Sequence, residues 1–524
     1  MRKDLVIGID SSTQSTKAIA WNAQGTAVAE GMAPIAMTAL GGDRYEQDPR
    51  DWWTSLVAAL RCLLAQIDAG RIAALAIANQ RETMAPLDRA GLPLRPALLW
   101  LDERGRDYLP LLAQWFGAEE LHRITGKPID LTPTISRLAW LREREPETFA
   151  RTATFAEAQA YLVHKLTGVF ATSWASSDPF GVFDIEARAW SVPILAKLDL
   201  DPSRFPASRP PGTVLGETVA AAAAETGLPI GTPIVAGAGD GQCAGLGTNC
   251  VLPGRAYLNL GTAIVSGVWS RDYAYTPHWR TLISASAHGY VLETVQRSGT
   301  FLMNWFRTNF VSDVMDEDVF AKLEAAASAL PIGSEGLLTL PYWSGCMNPH
   351  WNPDARGCIV GFAGSHGAGH VYRSILEGLT LESARAASAM EAAGIAINEH
   401  VVIGGGARSP LWVQMVADAT GRPARICASV QASALGAGML AAYGAGWFPT
   451  TEDASAAMTA KTTTIEPNPH NARRYGELME LQGSLYAANE GIFAALRTFK
   501  HGCGEKDVEQ YGAASMSDGS LELH

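Results

Sequence analysis

The sequence predicts an α/β protein built from two duplicated halves that flank a cleft. Three observations lead there. The stretch LVIGIDSSTQSTKAIAW at 5–21 reads as an apolar strand, a turn of small and hydroxyl residues, and a second apolar strand. AYLNLGTAIVSGVW at 256–269 repeats that pattern. Both halves go on to alternate strand runs with helical spacing. At 524 residues, the chain is long enough for two domains with full cores.

In the first half, strands are expected at 5–10, 17–21, 72–79 and 96–100. Helical spacing covers 51–66, with Asp48 as N-cap before Pro49. A second helix over 156–166 ends at Gly168. SRFPASRPP at 203–211 reads as an extended surface loop, followed by a short helix and a strand ending at Asp240. The second half opens near Val251. Helices are expected over 299–310, 319–329, 369–392, 410–420 and 433–443, with a strand in HVVIGGG at 400–406. We expect domains at 1–250 and 251–497, then a flexible polar tail over 498–524.

Composition narrows the function classes. The formal net charge is −12 and no Lys/Arg cluster stands out, which disfavours nucleic acid as a partner. No apolar run reaches 18 residues, so no membrane partner is expected, and MRKDLVIGIDSS lacks a leader's cleavage pattern. The seven cysteines, at 62, 243, 250, 346, 358, 427 and 503, form no C-x-x-C pair. That fits reduced thiols and a cytoplasmic location. Cys243 lies near Asp240 but reads as packing.

Several constellations carry chemistry. A Gly-Thr or Ser-Thr turn lets backbone N–H groups approach a phosphate chain, so two such turns suggest a nucleotide clamped between the halves. Asp10 enters the first turn, where a carboxylate can bind Mg²⁺ beside phosphates or simply cap the turn. Asp240, in IVAGAGDGQCAGLG, is an isolated carboxylate among small residues. It suits a general base for a substrate hydroxyl, and equally an Asp in a glycine turn. Arg81 and Glu82 in ANQRET can donate to and accept from neighbouring hydroxyls of a polyol, or form a solvated surface pair. VIGGGARS at 402–409 lets a flat base or ribose lie on backbone. It is neither G-x-G-x-x-G nor a Walker A loop. The small-residue patch ASALGA at 432–437 reads as the other wall of that pocket or as a tightly packed helix start.

Taken in order, these motifs resemble the FGGY carbohydrate kinases of the actin-like ATPase superfamily, over about residues 5–497. GIDSSTQSTKA is similar to the family's first phosphate motif, with Ser12 where glycine is usual. EQDPRDWW at 46–53 and LPYWSGCMNPHWNPDARGCIVGF at 340–362 resemble further family segments, the latter a xylulokinase signature. The resemblance implies two ribonuclease-H-like domains around a catalytic cleft, with ATP and Mg²⁺ as cofactors and a small-molecule sugar as acceptor. Asp240 inherits the role of catalytic base, and Asp10 and Asp240 that of metal ligands. Ser12, Thr13, Gln14, Lys17, Gly261 and Thr262 fall at the nucleotide phosphates, and Gly404, Gly405, Gly406, Ala407 and Ser409 at the nucleoside. Arg81, Glu82, Gln242, Trp100 and Thr132 fall at the sugar. A homodimer is also implied, and domain closure would exclude water.

The substrate signals divide. NQRET is similar to glycerol kinases, whereas xylulokinases usually carry Met-His there. Thr132 aligns with the glycerol kinases' substrate tyrosine and supplies no aromatic wall. EQDPRDWW, PALLW at 96–100 and the 340–362 segment lean towards xylulokinase. D-Xylulose phosphorylated on its terminal hydroxyl is therefore the first expectation, with glycerol or a four- to six-carbon polyol or ketose second. A catalytically silent sugar-responsive regulator is the reading from another class.

Overall fold

The computed structural model describes residues 3–286, 288–311, 318–427, 431–459 and 462–502. Its first large sheet contains β1 (Leu5–Ser11), β2 (Ser15–Trp21), β3 (Ala27–Pro34), β4 (Ile72–Asn79), β5 (Val214–Glu217) and β6 (Pro233–Gly239), in the order β5-β6-β4-β1-β2-β3. The second contains β7 (Gly254–Leu260), β8 (Ile264–Ser270), β9 (Arg280–Ile283), β10 (Tyr290–Gln296), β11 (Ile397–Ile403), β12 (Ala424–Cys427) and β13 (Thr462–Ile465), in the order β9-β10-β8-β7-β11-β12-β13. With edge strands β5, β9 and β13 set aside, both sheets have the order third, second, first, fourth, fifth. In each, the first three strands are antiparallel and the last two parallel to the first. The duplication expected from the hairpins thus extends over five strands of each sheet. β4 is buried at every residue, as a central parallel strand should be.

Helix α1 (Pro49–Leu64) starts as its sequence dictates. The Asp48 carboxylate accepts from Arg50 N at 2.9 Å, and Pro49 occupies the first turn where no N–H is needed. Trp52, Leu56, Ala59, Leu60 and Leu63 form its buried face against the first sheet. Helix α2 (Ala158–Thr167) ends at Gly168 with φ 79°, the left-handed cap glycine tolerates. α3 (Asp240–Gly247) begins where β6 ends, so Asp240 is the first residue of a helix rather than a free strand end. In the second half, α4 (Thr300–Phe310), α5 (Ala368–Ala392) and α6 (Pro410–Thr420) fall where helical spacing puts them.

α7 (Ala432–Gly444) follows the second sheet in the chain but packs against the first. A Cβ on Gly8 of β1 would lie 1.9 Å from Ala434 O, and one on Gly436 would lie 2.0 Å from Cys243 O. Those contacts explain the 432–437 patch: its small residues let backbones touch, the packed-helix reading. Other expectations change. The strand at 96–100 shortens to Ala97–Leu98, with Trp100 N turned to Thr83 Oγ1 at 3.3 Å. The loop at 203–211 holds a short strand, Ala207–Arg209, parallel to Ala171–Ser173. The last helix, α8 (Pro469–Gly502), carries regular structure through 502. The tail from Cys503 lies outside the described residues. Among the described residues, no helix is long and apolar enough to cross a membrane.

Candidate active site

A cavity of about 570 Å³ opens between the halves. Thr13, Arg81, Glu82, Trp100, Thr132 and Asp240 line it from the first half, and Gly261, Thr262, Arg280, Arg297, Trp343 and Met347 from the second. The two hairpin turns therefore face one space although about 250 residues separate them. The 340–362 segment supplies part of the wall. Asn348 anchors it by accepting from Val295 N of β10 at 2.7 Å.

The first turn is braced from below. Gln47, in the EQDPRDWW stretch, donates from Nε2 to Thr13 O at 2.5 Å and accepts from Trp52 Nε1 at 3.0 Å and Gln80 Nε2 at 2.9 Å. Trp100 Nε1 donates to Thr13 Oγ1 at 3.1 Å, so Trp100 supports the turn while lining the cavity. Ser12 stays outside the left-handed region, and both its N–H and its hydroxyl donate to Ser15 O, at 3.1 and 3.0 Å. A serine therefore satisfies this position without strain. Gln14 is exposed, and Lys17 Nζ reaches Gln431 Oε1 at 3.3 Å. In the second turn, Gly261 O accepts from Thr300 N at 2.8 Å, tying that turn to the start of α4.

Asp10 is the next-to-last residue of β1, with Oδ1 buried and without a hydrogen-bond partner. Burial and the neighbouring Asp240 carboxylate push its pKa up to about 7, against the pull of Lys17. Two neighbouring carboxylates, one with an orphaned oxygen, suit a hard divalent cation that keeps most of its waters. Among the described residues, no cluster of three or more His, Cys, Asp or Glu forms a fuller cage.

Arg81 and Glu82 are 8% and 6% exposed, which excludes the solvated surface pair. Nor do they pair with each other. Arg81 Nε lies 3.1 Å from Asp240 Oδ1, and its Nη1 lies 2.8 Å from Glu293 Oε2. Glu82 takes Arg280 Nη1 at 2.8 Å. Arg280 also lies 2.7 Å from Glu293 Oε1, and Tyr257 OH donates to Glu293 Oε2 at 3.0 Å. Burial would raise the Glu293 pKa, but Arg81 and Arg280 outweigh it and hold the carboxyl at about 2. Burial raises the Glu82 carboxyl despite Arg280. Sequence reading missed Tyr257, Arg280 and Glu293. An arginine and a glutamate in ordinary strands carry no local signal.

The remaining expected residues divide between the cavity wall and the packing around it. Thr132 lines the cavity, with its hydroxyl and N–H both on Asp130 Oδ2. Gln242 is buried, donates to Ala175 O at 2.8 Å, and is not among the residues lining the cavity. Gly404 has φ 85°, and a Cβ there would lie 2.4 Å from Asn259 Oδ1, a cavity residue. Nothing lies within 4 Å of a Cβ built on Gly405, whereas Gly406 meets Trp412 at 2.5 Å. Of the three glycines, only Gly405 thus presents open backbone. Ala407 continues the short helical turn Gly405–Arg408, and Ser409 caps α6 by accepting from Trp412 N at 3.0 Å. Cys243 is fully buried with its thiol pKa raised by desolvation, consistent with packing.

Comparison with known proteins follows the same division. The pattern of the FGGY family of carbohydrate kinases, N-terminal domain, matches residues 5–247, and that of its C-terminal domain matches 256–445. A xylulose kinase of Bacillus subtilis (strain 168) is 28% identical over 502 residues, covering 94% of this chain and 99% of that protein. A glycerol kinase of Methylibium petroleiphilum is 29% identical over 488 residues, covering 88% and 95%. The crystal structure of xylulose kinase from Rhodospirillum rubrum superposes with a TM-score of 0.87 at 28% identity, covering 94% of this chain and all of the other. Gluconokinases match too, at 23% and 24% identity.

Proposed function

This chain belongs to the FGGY family of carbohydrate kinases and is an ATP-dependent sugar kinase, and we propose that its acceptor is a ketopentose, D-xylulose first, phosphorylated on its terminal hydroxyl. The observation that carries the reading is Asp240, which opens α3 on the wall of the cavity faced by both hairpin turns. Asp240 Oδ1 is occupied by Gly241 N at 2.8 Å and Arg81 Nε at 3.1 Å. Oδ2 is then the oxygen that accepts the hydroxyl proton as the acceptor attacks the γ-phosphate. The backbone at Thr13 and at Gly261 and Thr262 holds the phosphate chain. Asp10 and Asp240 would hold Mg²⁺, whose chemistry there is charge neutralisation of the phosphates. Positioning supplies most of the remaining acceleration. The open backbone at Gly405 suits the nucleoside, and the Arg81–Glu82 pair the sugar hydroxyls.

Glycerol or a linear polyol is the second reading. Arg81 and Glu82 on the cavity wall favour it, and so does the glycerol kinase relative. The test is ADP release with Mg-ATP across D-xylulose, L-xylulose, D-ribulose, L-ribulose, glycerol, erythritol, xylitol and D-gluconate. A strong response to D-xylulose supports the first reading, and one to glycerol or xylitol replaces it with the second. Release with none of them, while ATP still binds, would favour the regulator.

A further inference from the structure

A charge chain of alternating sign runs from Arg81, Glu82 and Arg280 on the cavity wall to Glu293 behind it, and each half contributes two members. Arg81 and Glu82 come from the end of β4, Arg280 from β9 and Glu293 from β10. All four are at most 8% exposed. Glu82 has φ 57°, an uncommon backbone for glutamate, and its carboxylate meets Arg280 rather than its own neighbour. Arg81 grips both oxygens of Glu293, at 3.1 and 2.8 Å. β9 is itself moored to the first half just after Arg280. Thr281 N donates to Gly126 O at 2.8 Å and Ile283 N to Asp178 Oδ2 at 2.6 Å.

We infer that Arg280 and Glu293 are positioning residues for the acceptor: by holding Glu82 and Arg81, they set sugar affinity from the C-terminal half. The inference rests on the cavity being the sugar site. A carboxylate as buried as Glu82 keeps its charge and its place only while a cation holds it. Arg280 does so with a rigid planar fork that a lysine lacks. Glu293 does the same for Arg81 through Nη1 while Asp240 takes Nε, and Tyr257 fixes Glu293 in turn. A polyol bridging Glu82 and Arg81 therefore meets two groups whose separation is dictated by residues about 200 positions further along the chain.

The test is calorimetric titration of the full chain with D-xylulose, glycerol and D-gluconate in separate runs, and with ADP as the nucleotide probe. The proteins are wild type, Arg280→Lys, Glu293→Gln, Glu82→Gln and the Arg280→Lys/Glu82→Gln double variant, each checked by melting temperature. The acceptor Kd is expected to rise roughly tenfold or more in Arg280→Lys and Glu293→Gln, while the ADP Kd stays within about twofold. The double variant is expected to bind the acceptor no worse than Glu82→Gln alone, because Arg280 acts through Glu82. If Arg280→Lys does not fold, Tyr257→Phe is read instead, with an expected rise of roughly threefold. An unchanged acceptor Kd beside a lowered melting temperature would overturn the inference and leave a structural tie only. So would losses that multiply in the double variant. If wild type binds ADP but none of the three acceptors, the acceptor reading on which the inference rests fails and the inference falls with it.

Discussion

Arg81 Nε sits 3.1 Å from Asp240 Oδ1, and the same guanidinium holds Glu293 at 2.8 Å. One buried cation thus joins the proposed base to the opposite half of the molecule, and substitutions at its two ends should differ. Asp240→Asn keeps shape and removes the proton acceptor, so turnover should fall roughly 10²–10⁴-fold with the melting temperature nearly unchanged. Near-normal turnover would remove Asp240 from the role of base. Arg81→Met should weaken sugar binding and also cost about 3–5 kcal/mol of stability, because it strips a partner from fully buried Glu293. Urea unfolding checks this, and a midpoint equal to wild type would contradict it.

Asp10 has an unpartnered buried oxygen, and the Asp240 carboxylate is near enough to raise its pKa. In Asp10→Asn, the Mg²⁺ concentration for half-maximal ADP release should rise roughly tenfold or more. A magnesium titration of the two proteins decides it. Superimposable curves would place the cation elsewhere.

Glu157 caps α2, accepting from Ala160 N at 2.9 Å, and is 1% exposed. Burial raises its pKa to about 7 from 4.5, against the hydrogen bonds from Thr172 and Ala160. Between those two values, the folded chain keeps a proton that the unfolded chain has released. Stability from this group is therefore lost as pH rises through that window, by about 3 kcal/mol in all. Glu157→Gln should gain on wild type by that order between pH 4.5 and 8. Parallel stability-pH curves in urea would show that Glu157 is ionised at no such cost.

Gly8→Ala should destabilise by about 1–3 kcal/mol or more, since its Cβ would fall 1.9 Å from Ala434 O and neither backbone can retreat without moving a sheet or a helix. A melting temperature at or above that of wild type would mean α7 is free to shift away from β1.

Much of the molecule was legible in its residues. β1, β2, β4, α1 and α6 follow from alternation, caps and helical spacing, which are local effects that a short window reports in full. Asp240 could be picked out because a lone carboxylate among glycines at a strand end is itself a local pattern. For Gln242, two residues on, proximity in sequence does not say that its amide turns inward to Ala175 O. The 432–437 patch kept two readings until the partner backbone at Gly8 and Cys243 was known.

The duplicated α/β design, the two turns and the lone Asp240 among glycines can be read from residue order alone, because strand period, turn chemistry and capping act over a few neighbouring residues. The partners of Arg81 and Glu82 came from folding in three dimensions. Glu293 lies 212 residues from Arg81, and Arg280 lies 198 from Glu82. An ion pair depends on distance through space, which residue spacing does not encode, so the cavity wall took its form only when β9 and β10 were folded against the end of β4.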